Sequence, residues 1–440
     1  MKKILSICIA VCLVFTANAQ KGNISFAEYD LANGLHVILH QDNSTPNVVV
    51  SLMYHVGSKD EKPDKTGFAH LFEHLLFEGS ENIGRGEFMK IVQANGGELN
   101  ANTSNDRTYY YELMPSNQLE LALWLESERM LHAKIDSIGI ATQKNVVIEE
   151  RKQRYDNQQY GTFMEELFKR AFKEHHYNWL TIGSMEHIRN ATDQDVVDFY
   201  NMYYVPNNAV LVVAGDFQTE NAKKLISKYF ADIPRGTQPI QRFNIVEKPL
   251  GGEIRDVVYD NVTLPAVVMG YRSPAYGTKD FYTLEIINSI LCGGNSSRFK
   301  DNIDDKQKAV QSFIFTMPLE NPGLTLVLGI ANLGGKAEDT EAAINQEIDS
   351  IVNYLVSPEE LQKAIAAKEM SIVSSKNSIE QIAHTLAEYY TYFRNAKMIN
   401  NELANYSNIT REDIKRVAEK YLKPENRVVL YYLPKSMEKK

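Results

Sequence analysis

Two β-branched apolar runs, each placed just behind a proline, predict the first strands: TPNVVVSLMY from Thr45 and LPAVVMGYR from Leu264. Residues 195 to 213, DVVDFYNMYYVPNNAVLVV, read as a helix, a Pro-Asn turn and an apolar strand, and residues 413 to 431, DIKRVAEKYLKPENRVVLY, read the same way. At an offset of 218, Asp195 meets Asp413, Tyr203 meets Tyr421, Pro206 meets Pro424 and Asn208 meets Asn426, while Pro46 and Pro265 stand 219 apart. Self-similarity over half the chain predicts a duplicated unit. The expected fold class is therefore α+β: two homologous α/β domains, residues 25–235 and 251–435, each a sheet flanked by helices. A linker at 236–250 joins them, and a clam-like cleft lies between them. Helices are predicted in the first half over 66–79 and 117–133, the second with Ser116 as its cap directly after Pro115.

Composition narrows the class. With 440 residues, 44% apolar and 23% charged, the chain is an ordinary globular protein with ample core. Residues 1–19 read as a secretory signal: Lys2 and Lys3, an apolar run from Ile4 to Phe15, and a small-residue cleavage site ending at Ala19. That run is too short to span a bilayer and no later stretch replaces it, so no transmembrane segment is expected and the mature chain should be periplasmic or secreted. Cys8 and Cys12 leave with the signal, so Cys292 has no intramolecular partner. Loss of the two lysines takes the formal charge from -9 to -11, which argues against nucleic acid and anionic membrane surfaces as partners.

Within the first predicted helix stands GFAHLFEHLLFEGS, where His70, Glu73 and His74 form H-x-x-E-H. Positions i, i+3 and i+4 share one helix face, so both imidazoles and the carboxylate project towards one point. Two neutral imidazoles four apart can hold one Zn²⁺, and a catalytic zinc needs a third protein ligand and an open position for water. Glu73 between the histidines is then placed as general base, in the inverted order of the commoner zinc motif.

HLFEHLLFEG resembles the zinc helix of the pitrilysin and mitochondrial processing peptidase family, and similarity to it extends over most of the mature chain. The resemblance implies one Zn²⁺ per chain and a third ligand about 75 residues on, where NVVIEERKQRYDN places Glu150; Glu149 is adjacent but should point about 100° away on a helix. NGGELNANTSNDRTYYYELMP resembles the family's cleft-edge strand and implies substrate contacts at Asn100, Ala101 and Thr103. Physically, a free sheet edge can add an extended peptide as one more strand. HHYNWLTIGSMEHI resembles a further family segment, with His175 and His176 read as structural, and YYVPNNAVLVVAGDF resembles the closing strand of the first domain.

The match fails in the second half. Positions corresponding to His70, Glu73 and His74 are Ser289, Cys292 and Gly293, so no second zinc site is expected. Family members often carry an Arg and a Tyr seven residues apart that bind substrate opposite the metal, where this chain has Asp304 and Gln311. The implied function is a zinc endopeptidase for peptides or unfolded polypeptides. Its expected partner is a related subunit that lacks the zinc motif and supplies the Arg/Tyr pair, in a heterodimer. A homodimer using another donor such as Arg298 is the alternative assembly. A non-catalytic assembly subunit of the same fold, or a metal- or peptide-binding periplasmic protein, is the alternative function.

Overall fold

The computed structural model describes residues 23–438; the expected signal segment at 1–19 lies outside the described residues. The first sheet contains β1 (Ala27–Asp30), β2 (His36–Gln41), β3 (Asn47–Tyr54), β4 (Glu98–Thr103), β5 (Thr108–Pro115) and β6 (Ala209–Gly215), in the order β1-β2-β6-β3-β5-β4. The second contains β7 (Ile254–Asp260), β8 (Ala266–Arg272), β9 (Gln311–Thr316), β10 (Leu324–Ile330) and β11 (Arg427–Pro434), in the order β7-β11-β8-β10-β9. Removing the outer strand β1 makes the two orders correspond strand for strand. In each, one parallel pair (β2 with β6, β7 with β11) sits among antiparallel neighbours.

The repeat seen in the sequence is kept in its hydrogen bonds. Thr192 with Asp195 and Thr410 with Asp413 form equivalent capping boxes at the starts of helices Asp193–Tyr203 and Arg411–Tyr421. Pro206 and Pro424 open the following turns. Asn208 Nδ2 then donates to Tyr203 O at 2.8 Å and Asn426 Nδ2 to Tyr421 O at 2.8 Å, so the same side chain ties the same turn in both halves.

Two expected helices are shorter than the pattern suggests. The metal-motif helix is Phe68–Leu75, because Gly67 before it has φ +95° and a Cβ there would lie 2.7 Å from Ile182 O. The second is Leu119–Leu131; Ser116 does not cap it, since its N–H donates to Pro46 O and extends the strand pairing before a 3₁₀ turn over Ser116–Gln118. Among the described residues no helix is long and apolar enough to cross a membrane.

Alternation along the strands gives each sheet two apolar faces. On one face of the first sheet, Leu35, Val48, Val50 and Leu52 pack on helices of the same half. The other face, with Ile38, Val49, Met53 and Val212, is covered by Ile382, Ala383, Leu386 and Ala387 from the second-half helix Ile379–Phe393. The second sheet repeats this in reverse: Val267, Met269 and Val429 meet their own half, whereas Ala266, Val268 and Leu430 share a core with Leu167 and Phe168 of the first-half helix Phe163–Ala171. A Cβ on Gly270 would lie 2.9 Å from Leu167, which shows how closely that helix approaches β8. Leu167 and Leu386 stand 219 apart, so the two halves exchange the same helix.

A polar cluster also joins the halves. Glu320, in the β9–β10 loop, accepts from His55 Nε2 at 2.8 Å and from Lys59, and its own N–H donates to Asp106 Oδ2. Lys59 also pairs with Asp106 at 2.8 Å. Burial pushes the Glu320 carboxyl up, but His55 and Lys59 outweigh it and hold it at about 2. A depressed carboxylate stabilises the fold above its unfolded value near 4.5, and that contribution disappears as pH falls from there towards 2. Its size is at most about 3 to 4 kcal/mol. We expect Glu320→Gln to lower the urea midpoint at pH 7 and the gap from wild type to narrow as pH falls from about 4.5 and to close only near 2; a gap that stays constant would refute this linkage.

Candidate metal centre

The helix Phe68–Leu75 turns its apolar face inwards. Phe72 lies against the rings of Phe199, Tyr200 and Tyr204, and Tyr110 Oη donates to Phe72 O at 3.0 Å. His70, Glu73 and His74 therefore fall away from that packed face, with His70 buried and Glu73 and His74 half-buried. The helix Ser137–Arg151 brings Glu150 to them: its carboxylate lies 3.0 Å from His74 Nε2 and 3.7 Å from His70 Nε2. Among the described residues this is the one group of three such side chains with donor atoms all within 4.8 Å of one another. Glu149 points elsewhere, to Lys152 at 2.6 Å. Arg151 anchors the end of the helix, donating to Gly183 O and Glu165.

The donor chemistry fits zinc. The two Nε2-to-carboxylate distances bracket the roughly 3.3 Å edge of a tetrahedron with zinc bonds near 2.0–2.1 Å. Burial, and then the neighbouring His74, lower His70 to about 4, so its lone pair is free at neutral pH. The hydrogen bond with His74 holds the Glu150 carboxyl below its ordinary range, which keeps it anionic. His70 Nδ1, on the far side of the ring, is buried without a partner.

Glu73 stands apart from this trio and faces the sheet edge. Thr103 Oγ1, at the end of β4, donates to Glu73 Oε2 at 2.6 Å, and burial raises the Glu73 carboxyl. Thr103, expected only as a substrate contact, thus touches the candidate base. β4 pairs with β5 alone and is a free edge of the first sheet, with Leu99, Ala101 and Thr103 on its less exposed side. Asn100 is exposed, and its Oδ1 accepts from the Ala101 N–H at 2.8 Å.

Other candidates fall elsewhere. His175 Nδ1 accepts from Tyr177 N and His176 Nδ1 meets Lys59 O, so neither joins the cluster. Asp304 accepts from Ser312, and Gln311 lies on edge strand β9. Arg298, a possible substitute donor, is held instead by Glu360 and Ser350 in the second half. There it lines a cavity of about 450 Å³ with Ser289 and Gly293, the positions equivalent to the two histidines. One cation does lie at the trio: Arg154, largely exposed, pairs with Glu150 at 2.9 Å. Nothing in the motif spacing marks it, beyond standing four residues after Glu150 on the same helical face.

A family model described as insulinase (peptidase family M16) matches residues 36–183, and one described as the peptidase M16 inactive domain matches residues 190–368. The chain belongs to peptidase family M16. The first match contains His70, Glu73, His74 and Glu150, while the half that has Ser289, Cys292 and Gly293 in their place falls within the model described as inactive. Curated relatives include the zinc protease PqqE of Helicobacter pylori, 29% identical over 98% of both chains. The mitochondrial-processing peptidase subunit beta of Lentinula edodes is 23% identical over 92% of this chain and 91% of its own. Among solved structures, a protease from Helicobacter pylori superposes with a TM-score of 0.90 at 29% identity, over 93% of this chain and all of that one. The periplasmic protease PqqL of Escherichia coli shares the fold, with a TM-score of 0.74 at 17% identity; the match covers 93% of this chain and 47% of that one.

Proposed function

We propose that this M16 chain is a zinc endopeptidase acting on extended peptides, exported by residues 1–19 and periplasmic or secreted once they are removed, and completed by a related subunit. The observation that carries the reading is one arrangement: His70, His74 and Glu150 converge, and Glu73 sits beside them at the end of a free edge strand. Zinc held by the trio would supply Lewis-acid activation of water and of a peptide carbonyl. β4 offers a backbone edge on which an extended substrate can lie as a seventh strand of the first sheet, which demands little of its side chains. Glu73, steadied by Thr103, takes a proton from the attacking water and returns it to the leaving amine.

The need for a partner rests on Asp304 and Gln311, which place no cationic or phenolic donor in the second half where the family often has one. The relation to PqqL, nearly half of which matches 93% of this chain, supports a pairing of two such units. Loss of an oxyanion donor costs roughly 10²- to 10³-fold in turnover. Cleavage of a mixed peptide library should therefore rise about a hundredfold or more when the chain is co-purified with a related product of a neighbouring gene. Equal rates alone and in the mixture would remove the partner from the account, and a zinc-loaded chain inert in every mixture would favour the non-catalytic assembly subunit.

A further inference from the structure

The helix carrying His70, Glu73 and His74 has only eight residues, two turns, a length that is marginal without help from outside. The two histidines are its third and seventh residues, so fraying of one turn at either end would displace one of them. Neither end has an ordinary cap. Gly67 at the N-terminus has no side chain to offer, and Leu76 stands at the C-terminal cap.

Both ends are instead met by buried ionisable side chains from other segments. At the N-terminus Glu61, 1% exposed, accepts from Gly67 N and Ala69 N at 2.9 Å each, and from Trp179 Nε1 at 3.0 Å. All three partners are donors, a set that suits a carboxylate. At the C-terminus Arg129, 2% exposed, donates from Nη1 to Leu76 O at 3.1 Å. Its other nitrogens reach Glu126 and Glu112, and its guanidinium carbon lies 4.4 to 4.5 Å from the ring centroids of Phe77, Phe88 and Tyr110. The Glu61 oxygens satisfy orphan N–H groups at the N-terminus, and Arg129 satisfies an orphan carbonyl at the C-terminus, where its charge also complements the helix dipole.

We infer that Glu61 and Arg129 are positioning residues: they clamp the two-turn helix from both ends and so hold His70 and His74 in register with Glu150, setting the affinity of the site for zinc. The affinity part rests on the metal-centre reading proposed above; the clamp itself does not. Ligand bonds near 2.0 Å tolerate little drift, and residues that hold ligands in place commonly contribute 10- to 100-fold to affinity.

The test uses the mature chain with Glu61→Ala, Glu61→Gln and Arg129→Lys. Ile348→Ala, in the second-half core, serves as a control chosen to lose melting temperature without touching the helix. Zinc affinity, from competition with a chromogenic chelator, should fall about tenfold or more in Glu61→Ala and less in Glu61→Gln, which keeps one acceptor oxygen; Ile348→Ala should bind as wild type. In metal-free protein, amide exchange over residues 68–76 should accelerate in the Glu61 variants and not in the control. If Arg129→Lys does not fold, the Glu61 pair carries the test. Wild-type affinity together with wild-type exchange in folded Glu61→Ala would overturn the clamp. Wild-type protein that takes up no zinc while Glu61→Ala still exchanges faster would defeat the metal reading and leave the clamp standing.

Discussion

Replacing His70, His74 or Glu150 by alanine is expected to weaken zinc binding by about 10²- to 10³-fold and abolish peptide cleavage, whereas Glu73→Gln keeps the metal and loses turnover. Each ligand supplies about 3 to 4 kcal/mol of a total near 10 kcal/mol or more. The three donors lie within 4.8 Å of one another, so removing any one leaves two and opens a second solvent position. Glu73 lies outside that trio and bonds Thr103 instead, so its amide variant should bind zinc as wild type does. Loss of a general base typically lowers turnover 10²- to 10⁴-fold. Metal content by atomic spectroscopy beside peptide hydrolysis separates the two classes. A Glu150→Ala variant with undiminished zinc would return the third-ligand role to another residue, Glu149 first.

The exchanged helices lead to the second large effect. Expressed alone, residues 23–240 would expose Ile38, Val49, Met53 and Val212, which Leu386 and its neighbours otherwise cover. At about 1.5 to 3 kcal/mol per large apolar side chain, that loss rivals the entire net stability of a domain, about 5 to 15 kcal/mol. The second half alone would likewise uncover Ala266, Val268 and Leu430. Each half by itself should aggregate or give a proton spectrum without dispersion, and the two co-expressed should purify as one complex. A soluble, well-dispersed first half would show that the exchange is not required for folding.

Much of this was legible in the sequence because the relevant signals are local. H-x-x-E-H fixes three side chains on one helix face whatever surrounds it, and the helix-Pro-strand units at 195–213 and 413–431 carry their own turns, with the capping Thr192 and Thr410 three residues ahead of them. The cleft-edge strand was legible from resemblance, and its edge position follows from the sheet order. The rest depends on long-range contacts that no spacing records. Thr103 reaches Glu73 across thirty residues, Glu320 meets His55 from the other half, and Arg129 caps a helix that ends 54 positions earlier. The exchange of helices was hidden for a related reason: Leu167 and Leu386 have the periodicity of core residues, and periodicity does not say whose core.

The central claim is that His70, His74 and Glu150 form a zinc centre, and the most direct measurement is anomalous diffraction above and below the zinc edge from crystals of the purified mature chain. The account predicts one anomalous peak per chain, within about 2.0–2.2 Å of His70 Nε2, His74 Nε2 and a Glu150 carboxylate oxygen. No peak in zinc-supplemented crystals, or a peak at other residues, would contradict it.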